Sequence, residues 1–264
     1  MTDTQRSDLP VVILCGGQGT RFREQTERKP KPMIEVSGRP ILWHIMKFYS
    51  GHGYHNFILC LGYMGDVIKQ YFLNFAAIES DFTVDLSAPG KIKYHNEDSL
   101  DWTVTCVDTG ADSMTGARLR RVAKFIDADQ FMLTYGDGLS NVNVPELVEF
   151  HRQHGGAATV TGVRPPGRFG ELLVAGTRVT RFSEKPVDQG RINGGFFVFN
   201  KDFLRYLTDD DGCVLERTPL EQAAADGQLQ MYAHDGYWQC MDTYRDLLHL
   251  EADWNDGDAP WRTW

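Results

Sequence analysis

Apolar positions in this chain follow two rhythms. Pro10–Cys15 (PVVILC) is a short, unalternating, β-branched run, the pattern of a strand buried on both faces. Pro40 then opens a helical stripe of Ile41, Leu42, Ile45, Phe48 and Tyr49, which Gly51 and Gly53 bring to a stop. Asn56–Leu61 repeats the buried-strand pattern. Asp66–Phe75 repeats the helical one, with Val67, Ile68, Tyr71, Phe72 and Phe75 inward. Strand, helix, strand, helix predicts parallel strands joined by right-handed crossovers.

The rhythm loosens further on. Asp81–Leu86 and Trp102–Val107 alternate as half-exposed strands do, Gly116–Phe125 reads as a basic amphipathic helix, and Gln130–Tyr135 as a buried strand stopped by Gly136-Asp137-Gly138. Val144–His154 is helical and Ala157–Val163 strand-like. Glu171–Val174 and Val179–Phe182 flank Gly176 as a hairpin would. Phe196–Phe199 is apolar, Asp202–Leu207 and Pro219–Ala225 are helical, Gln228–Tyr232 alternates, and Thr243–Trp254 closes as a helix. With no linker, repeat or low-complexity tract, the whole of 1–264 is expected to form one α/β domain with a mixed sheet and small β insertions.

Composition narrows the partners. Of 264 residues, 27 are Lys or Arg and 36 Asp or Glu, a net charge of −9 that argues against a nucleic-acid surface. An anionic ligand stays open, because a metal ion and a few local cations offset the global sign. The five cysteines are scattered, without a C-x-x-C pair; three sit in strand-like runs, fitting buried thiols in a reducing cytoplasm. The polar start Met1–Pro10 lacks an apolar signal core, so no secretion is expected, and no apolar run approaches membrane-spanning length.

Candidate chemistry gathers at strand ends. Gly16-Gly17-Gln18-Gly19-Thr20-Arg21 follows the first strand, where glycines let backbone N–H groups approach anionic oxygens. It fails both the Walker and the dinucleotide fingerprints, so a plain tight turn is the competing reading. In Lys29-Pro30-Lys31-Pro32-Met33, prolines stiffen the chain around Lys31; a solvated basic turn is the ordinary alternative. Asp137, between glycines at the carboxyl end of a strand, suits a metal carrying a polyphosphate, or a simple D-G turn. Asp242, just before the last helix, reads first as an N-cap, a role compatible with metal ligation. Glu184-Lys185-Pro186 and Asn193-Gly194-Gly195 offer a carboxylate, an ammonium and an amide suited to a hydroxyl-rich phosphate ligand.

Asp108-Thr109-Gly110 matches the aspartic-protease triplet, but no second triplet supplies the partner aspartate. The eight histidines form no H-E-x-x-H. The pairs His52/His55 and His151/His154 lie in polar stretches and are expected to be exposed. No G-x-S-x-G nucleophile signature occurs.

Taken together, Gly16–Arg21, Lys31-Pro32-Met33, Gly38–Trp43, Gly136-Asp137-Gly138 and Glu184-Lys185-Pro186 resemble the sugar-1-phosphate nucleotidyltransferases. Ile41–Lys47, Asp108-Thr109-Gly110 with Met114-Thr115-Gly116, Pro165–Gly170, Ile192–Phe197 and the ending Ala259–Trp264 narrow the likeness to the members that join CTP and glucose 1-phosphate. The resemblance implies a Rossmann-like three-layer nucleotidyltransferase fold with a mixed, mostly parallel central sheet. It further implies that Leu14, Cys15, Gly16, Gly17, Gln18 and Gly19 wrap the nucleotide, that Thr20, Arg21 and Lys31 meet its phosphates, and that Ser113 and Arg118 also contact it. Asp137 and Asp242 would hold Mg²⁺, while Gly170, Glu184, Lys185 and Asn193 would bind the sugar phosphate. Arg21, Lys31 and Asp137 would carry catalysis. Ser113 replaces a frequent threonine and Cys15 a usual alanine, both small changes.

The expected product is CDP-glucose, formed without a covalent enzyme intermediate by a cytoplasmic homo-oligomer. Two alternatives stand beside it: the same chemistry with dTTP or UTP, and a sugar-nucleotide-binding regulator that has lost catalysis.

Overall fold

The structure, a computed structural model, describes residues 9–22, 26–27, 29–87, 90–95, 100–164, 171–183 and 190–264. Eight strands form the central sheet: β1 (Val11–Leu14), β2 (Asn56–Leu61), β3 (Thr103–Asp108), β4 (Gln130–Tyr135), β5 (Ala158–Val163), β6 (Ile192–Asn193), β7 (Phe197–Asn200) and β8 (Leu229–His234). β1 lies between β4 and β2, parallel to both, with Val12 opposite Leu133 and Ile58. β3 extends the parallel set beyond β2. β7 runs antiparallel between β4 and β5, β6 pairs with the far end of β5, and β8 adds a parallel strand to β5. The sheet is therefore mixed and mostly parallel, as the sequence pattern predicts.

Both faces of β1 are buried, and its pleat divides the core in two. Val11 and Ile13 pack with the helices Ile41–Gly51, Gly65–Leu73, Val144–His154 and Tyr244–Asn255. Val12 and Leu14 pack on the other side with Thr115–Val122, the 3₁₀ turns Lys201–Tyr206 and the helix Thr218–Ala225. That gives three layers, with the carboxyl ends of β1 and β4 side by side at the middle of one sheet edge.

Several expectations need correction. The predicted helix Asp66–Phe75 breaks at Asn74 into Gly65–Leu73 and Phe75–Glu79. The alternation in Asp81–Leu86 covers no buried face: among the described residues Phe82–Val84 pairs with Ile92–Tyr94 alone, and both strands are exposed throughout. His151 is buried rather than exposed, its ring held between Thr159 Oγ1 at 2.8 Å and Asn200 Oδ1 at 3.1 Å. The hairpin around Gly176 forms as expected, from Glu171–Ala175 and Arg178–Ser183.

The chain's ending locks the last helix against the first. Trp261 is fully buried, stacks on Trp254, and donates its Nε1–H to His44 Nδ1 at 3.4 Å. His44 Nε2 in turn bonds the Val36 carbonyl at 3.0 Å, so the imidazole is neutral with its proton on Nε2. Burial, followed by the nearby Arg39 charge, pushes its pKa down to about 4 despite the Val36 bond. An imidazole depressed in the folded state takes its proton more readily when unfolded, so stability falls as pH drops from about 6.5 toward 4. Denaturant unfolding at pH 7 and 4.5 should show the unsubstituted chain losing about 2 kcal/mol more than His44→Gln over that span. Parallel pH profiles would contradict the buried neutral ring.

Candidate active site

A cavity of about 350 Å³ opens at the carboxyl ends of β1 and β4. This is where open α/β sheets collect ligands, because helices and loops diverge there while strand-end backbone groups stay exposed. Its floor is Leu14 and the buried Cys15, and one wall is the glycine loop with Gly16, Gly17, Gly19 and Thr20. Burial, then the neighbouring thiols of Cys60 and Cys106, raises the Cys15 thiol's pKa, so it lines the pocket as a neutral group. Gly19 has φ +60°, and a Cβ there would meet the Thr26 methyl at 2.7 Å, so this turn requires glycine.

Lys31 begins a 3₁₀ turn, Lys31–Met33, entered through the extended Pro30. The prolines on either side hold its backbone while the side chain points into the cavity. Asp137 reaches the same point from the turn after β4. That turn needs Gly136, where a Cβ would lie 2.8 Å from the Leu14 carbonyl oxygen. Gly138–Ser140 then pairs antiparallel with Trp238–Cys240, and the Met241 N–H donates to the Asp137 carbonyl at 2.9 Å. This small ribbon carries Asp242 beside Asp137, although 105 positions separate them in sequence.

The two carboxylates share one cation. Lys31 Nζ donates to Asp137 Oδ2 at 2.5 Å and to Asp242 Oδ1 at 2.8 Å. Burial pulls the Lys31 pKa down, but the charges and hydrogen bonds of Asp137 and Asp242 outweigh it and leave the ammonium above its usual value. The N-cap reading of Asp242 is overturned: Thr243 caps the last helix, in a reciprocal capping box with Asp246. Thr243 occupies the cap position, and the Asp242 side chain turns to the cavity instead.

Arg118 does not sit on a solvated basic face. It is 4% exposed, and its guanidinium donates to the carbonyls of Leu61, Gly110, Gly16 and Ala111 and to Thr109 Oγ1, at 2.8–3.2 Å. A Cβ on Gly16 would lie 2.1 Å from it, and one on Gly62 2.4 Å, so two glycines vacate its berth. The triplet Asp108-Thr109-Gly110 is part of this seat: Thr109 Oγ1 donates to the Leu61 carbonyl, and Asp108 accepts the Gly110 N–H. Ser113 lines the same wall with its hydroxyl donating to Asp211 at 2.7 Å, a bond that, with Arg121, holds the Asp211 carboxyl below its usual range.

Of the remaining expected residues, Thr20 lines the cavity and Gln18 stays outside its lining. The Arg21 side chain, Gly170, Glu184 and Lys185 lie outside the described residues. Asn193 approaches from β6, donating to the Tyr135 hydroxyl at 3.0 Å. Tyr135 and Thr115 also line the cavity and are joined through Glu216, a set the sequence pattern does not reveal. An aromatic at the end of a buried strand reads as core. Glu216 lies far along the chain, with no motif around it.

A nucleotidyl transferase family model matches residues 10–256 of this sequence. The chain belongs to that family. Within the nucleotidyl transferases it is 48% identical over 258 residues to the glucose-1-phosphate cytidylyltransferase of Salmonella typhimurium, covering 97% of this chain and 100% of that one. It is 42% identical to a probable glucose-1-phosphate cytidylyltransferase of Bacillus subtilis, with 97% and 100% covered. The fold matches the crystal structure of apo UDP-glucose pyrophosphorylase at TM-score 0.68 and 13% identity, covering 94% of this chain and 99% of that one.

In this nucleotidyl transferase, Arg118→Met would strand several buried carbonyls at once. It should lower unfolding free energy by about 3 kcal/mol in denaturant titration. A loss under about 1 kcal/mol would mean the guanidinium is not what holds the glycine loop.

Proposed function

We propose that the chain transfers CMP from CTP to glucose 1-phosphate, releasing pyrophosphate and giving CDP-glucose. The observation that carries this reading is the Lys31–Asp137–Asp242 junction at the mouth of the glycine loop, in a chain 48% identical to a glucose-1-phosphate cytidylyltransferase over its full length. In this reading a phosphate oxygen of the sugar phosphate forms the new bond to the α-phosphorus. The α–β bridging bond breaks, and its electron pair leaves with pyrophosphate. Two anions must meet, so the residues act by positioning and charge neutralisation rather than as nucleophiles.

Leu14, Cys15, Gly16, Gly17, Gln18 and Gly19 surround the nucleotide, and Thr20, Arg21 and Lys31 face its phosphates. Arg118 acts from beneath, fixing the loop through the Gly16 carbonyl, and Ser113 lines the cavity on the same side. Gly170, Glu184, Lys185 and Asn193 take the sugar phosphate. Asp137 and Asp242 fit Mg²⁺, because they already converge on one cation, and Mg²⁺ favours one or two carboxylates completed by phosphate oxygens. When bound, the ion supplies charge stabilisation for the phosphates in transit. Lys31 then exchanges carboxylate for phosphate, as a lysine on a stiffened turn can do with little loss of side-chain freedom.

The five free cysteines fit a reducing cytoplasm, and no helix among the described residues is long and apolar enough to cross a membrane. The exposed Leu73, Ile78, Phe82 and Ile92 fit burial against further copies of the chain.

Pyrophosphate release should be measured with glucose 1-phosphate and Mg²⁺, comparing CTP, UTP, dTTP, ATP and GTP. CTP should be used at least tenfold better than the others, and Lys31→Ala should lower kcat/KM by roughly 10²–10³-fold. Preference for dTTP or UTP would keep the chemistry and replace the nucleotide. Silence with all five would favour the binding regulator.

A further inference from the structure

Thr115, Tyr135, Asn193 and Glu216 come from four separate segments and form one continuous hydrogen-bonded chain across the back of the cavity. Thr115 opens the helix Thr115–Val122; its hydroxyl accepts the Leu215 N–H at 2.9 Å and donates to Glu216 Oε2 at 2.6 Å. Tyr135 ends β4, two residues before Asp137, and its hydroxyl donates to Glu216 Oε1 at 2.6 Å. That donation uses the phenol's only proton. The oxygen can therefore only accept from Asn193 Nδ2, at 3.0 Å, and the amide is held with its nitrogen toward Tyr135. At the other end, Asn193 Oδ1 accepts the Gly195 N–H at 2.9 Å. One N–H of Nδ2 and one lone pair of Oδ1 are left to meet a ligand.

The segment carrying Asn193 is held in an unusual shape. Gly195 has φ +77°, and the buried Phe196 has φ +47°, in the left-handed region that a bulky residue rarely enters. Trp238 Nε1–H clamps the Gly194 carbonyl at 2.8 Å. Backbone and amide are thus both fixed, the backbone by Trp238 and the amide by Tyr135.

We propose that Tyr135 and Glu216 are positioning residues: Glu216 orients the Tyr135 hydroxyl, which orients the Asn193 amide toward the sugar phosphate, and the same carboxylate fixes Thr115 on the nucleotide side. This rests on the proposed assignment of Asn193 to the sugar phosphate. Neither residue touches the reacting atoms. Tyr135→Phe removes the acceptor for Asn193 and leaves Thr115 with its carboxylate. Glu216→Gln offers one acceptor and one donor where two hydroxyls donate, so it disturbs both branches.

Steady-state kinetics on the full chain separate these effects from a merely structural role. Tyr135→Phe should raise the KM for glucose 1-phosphate roughly fivefold, the equivalent of one neutral hydrogen bond. Its KM for CTP should stay within about twofold. Glu216→Gln should raise both KM values, and circular-dichroism melting should show both variants folded. Unchanged KM for glucose 1-phosphate in Tyr135→Phe, or equal rises for both substrates there, would overturn the proposal. Should Glu216→Gln fail to fold, Tyr135→Phe alone decides. Wild-type turnover in the same assay isolates the underlying reading: its absence overturns that reading and this proposal together. A turning-over wild type with unmoved variants overturns only the proposal.

Discussion

Two ionised carboxylates facing one another in a half-buried cleft repel unless a cation or a shared proton lies between them, and here the Lys31 ammonium takes that place. It draws together three stretches of chain: the proline-flanked turn at Lys31–Met33, the turn after β4 that carries Asp137, and the segment before the last helix that carries Asp242. Removing one member of such a cluster leaves an uncompensated charge, which is why these three positions depend on one another more than on their local sequence. Each part of the fold around the site serves that convergence. The small ribbon of Gly138–Ser140 with Trp238–Cys240 brings the aspartates into register, and the Trp261–His44 contact fixes the last helix against the helix that follows Lys31.

Beneath the ion cluster lies a second constraint of the opposite kind. Arg118 is charged and almost fully buried, yet its partners are carbonyls and a hydroxyl rather than a carboxylate. Its charge is dispersed over the ends of β1, β2 and β3, and it holds the Gly16 carbonyl at the start of the glycine loop. Arg118 under the loop and Lys31 at its mouth set two positive charges against the carboxylates of Asp137 and Asp242, so the described cavity lining is locally balanced in a protein of net charge −9.

The frame of the fold was legible because buried parallel strands leave unbroken apolar runs, as in Val11–Leu14, Asn56–Leu61 and Gln130–Tyr135. Alternation was a weaker guide at Phe82–Val84, since a two-residue period says that a strand has two faces but not that anything covers one. Asp242 and Thr243 are both good cap formers, and only the chain's path decides which takes the cap. The burial of Arg118 was not legible, because it depends on missing side chains at Gly16 and Gly62, far away in sequence. The Lys31, Asp137 and glycine-loop positions were visible as candidates because prolines and glycines mark them. The Thr115–Glu216–Tyr135 linkage was not, because hydrogen bonds between distant ordinary residues leave no local pattern.

The most direct test of the ion cluster is Mn²⁺ binding to the nucleotide-free protein, followed by electron paramagnetic resonance in the unsubstituted chain and in Lys31→Met. If the ammonium holds the place between Asp137 and Asp242, its removal takes the competing cation away from both carboxylates, and the variant should bind Mn²⁺ at least about tenfold more tightly, a difference of about 1.4 kcal/mol. Equal or weaker Mn²⁺ binding by Lys31→Met would contradict the account, because the two aspartates would then not form a cation site that Lys31 fills.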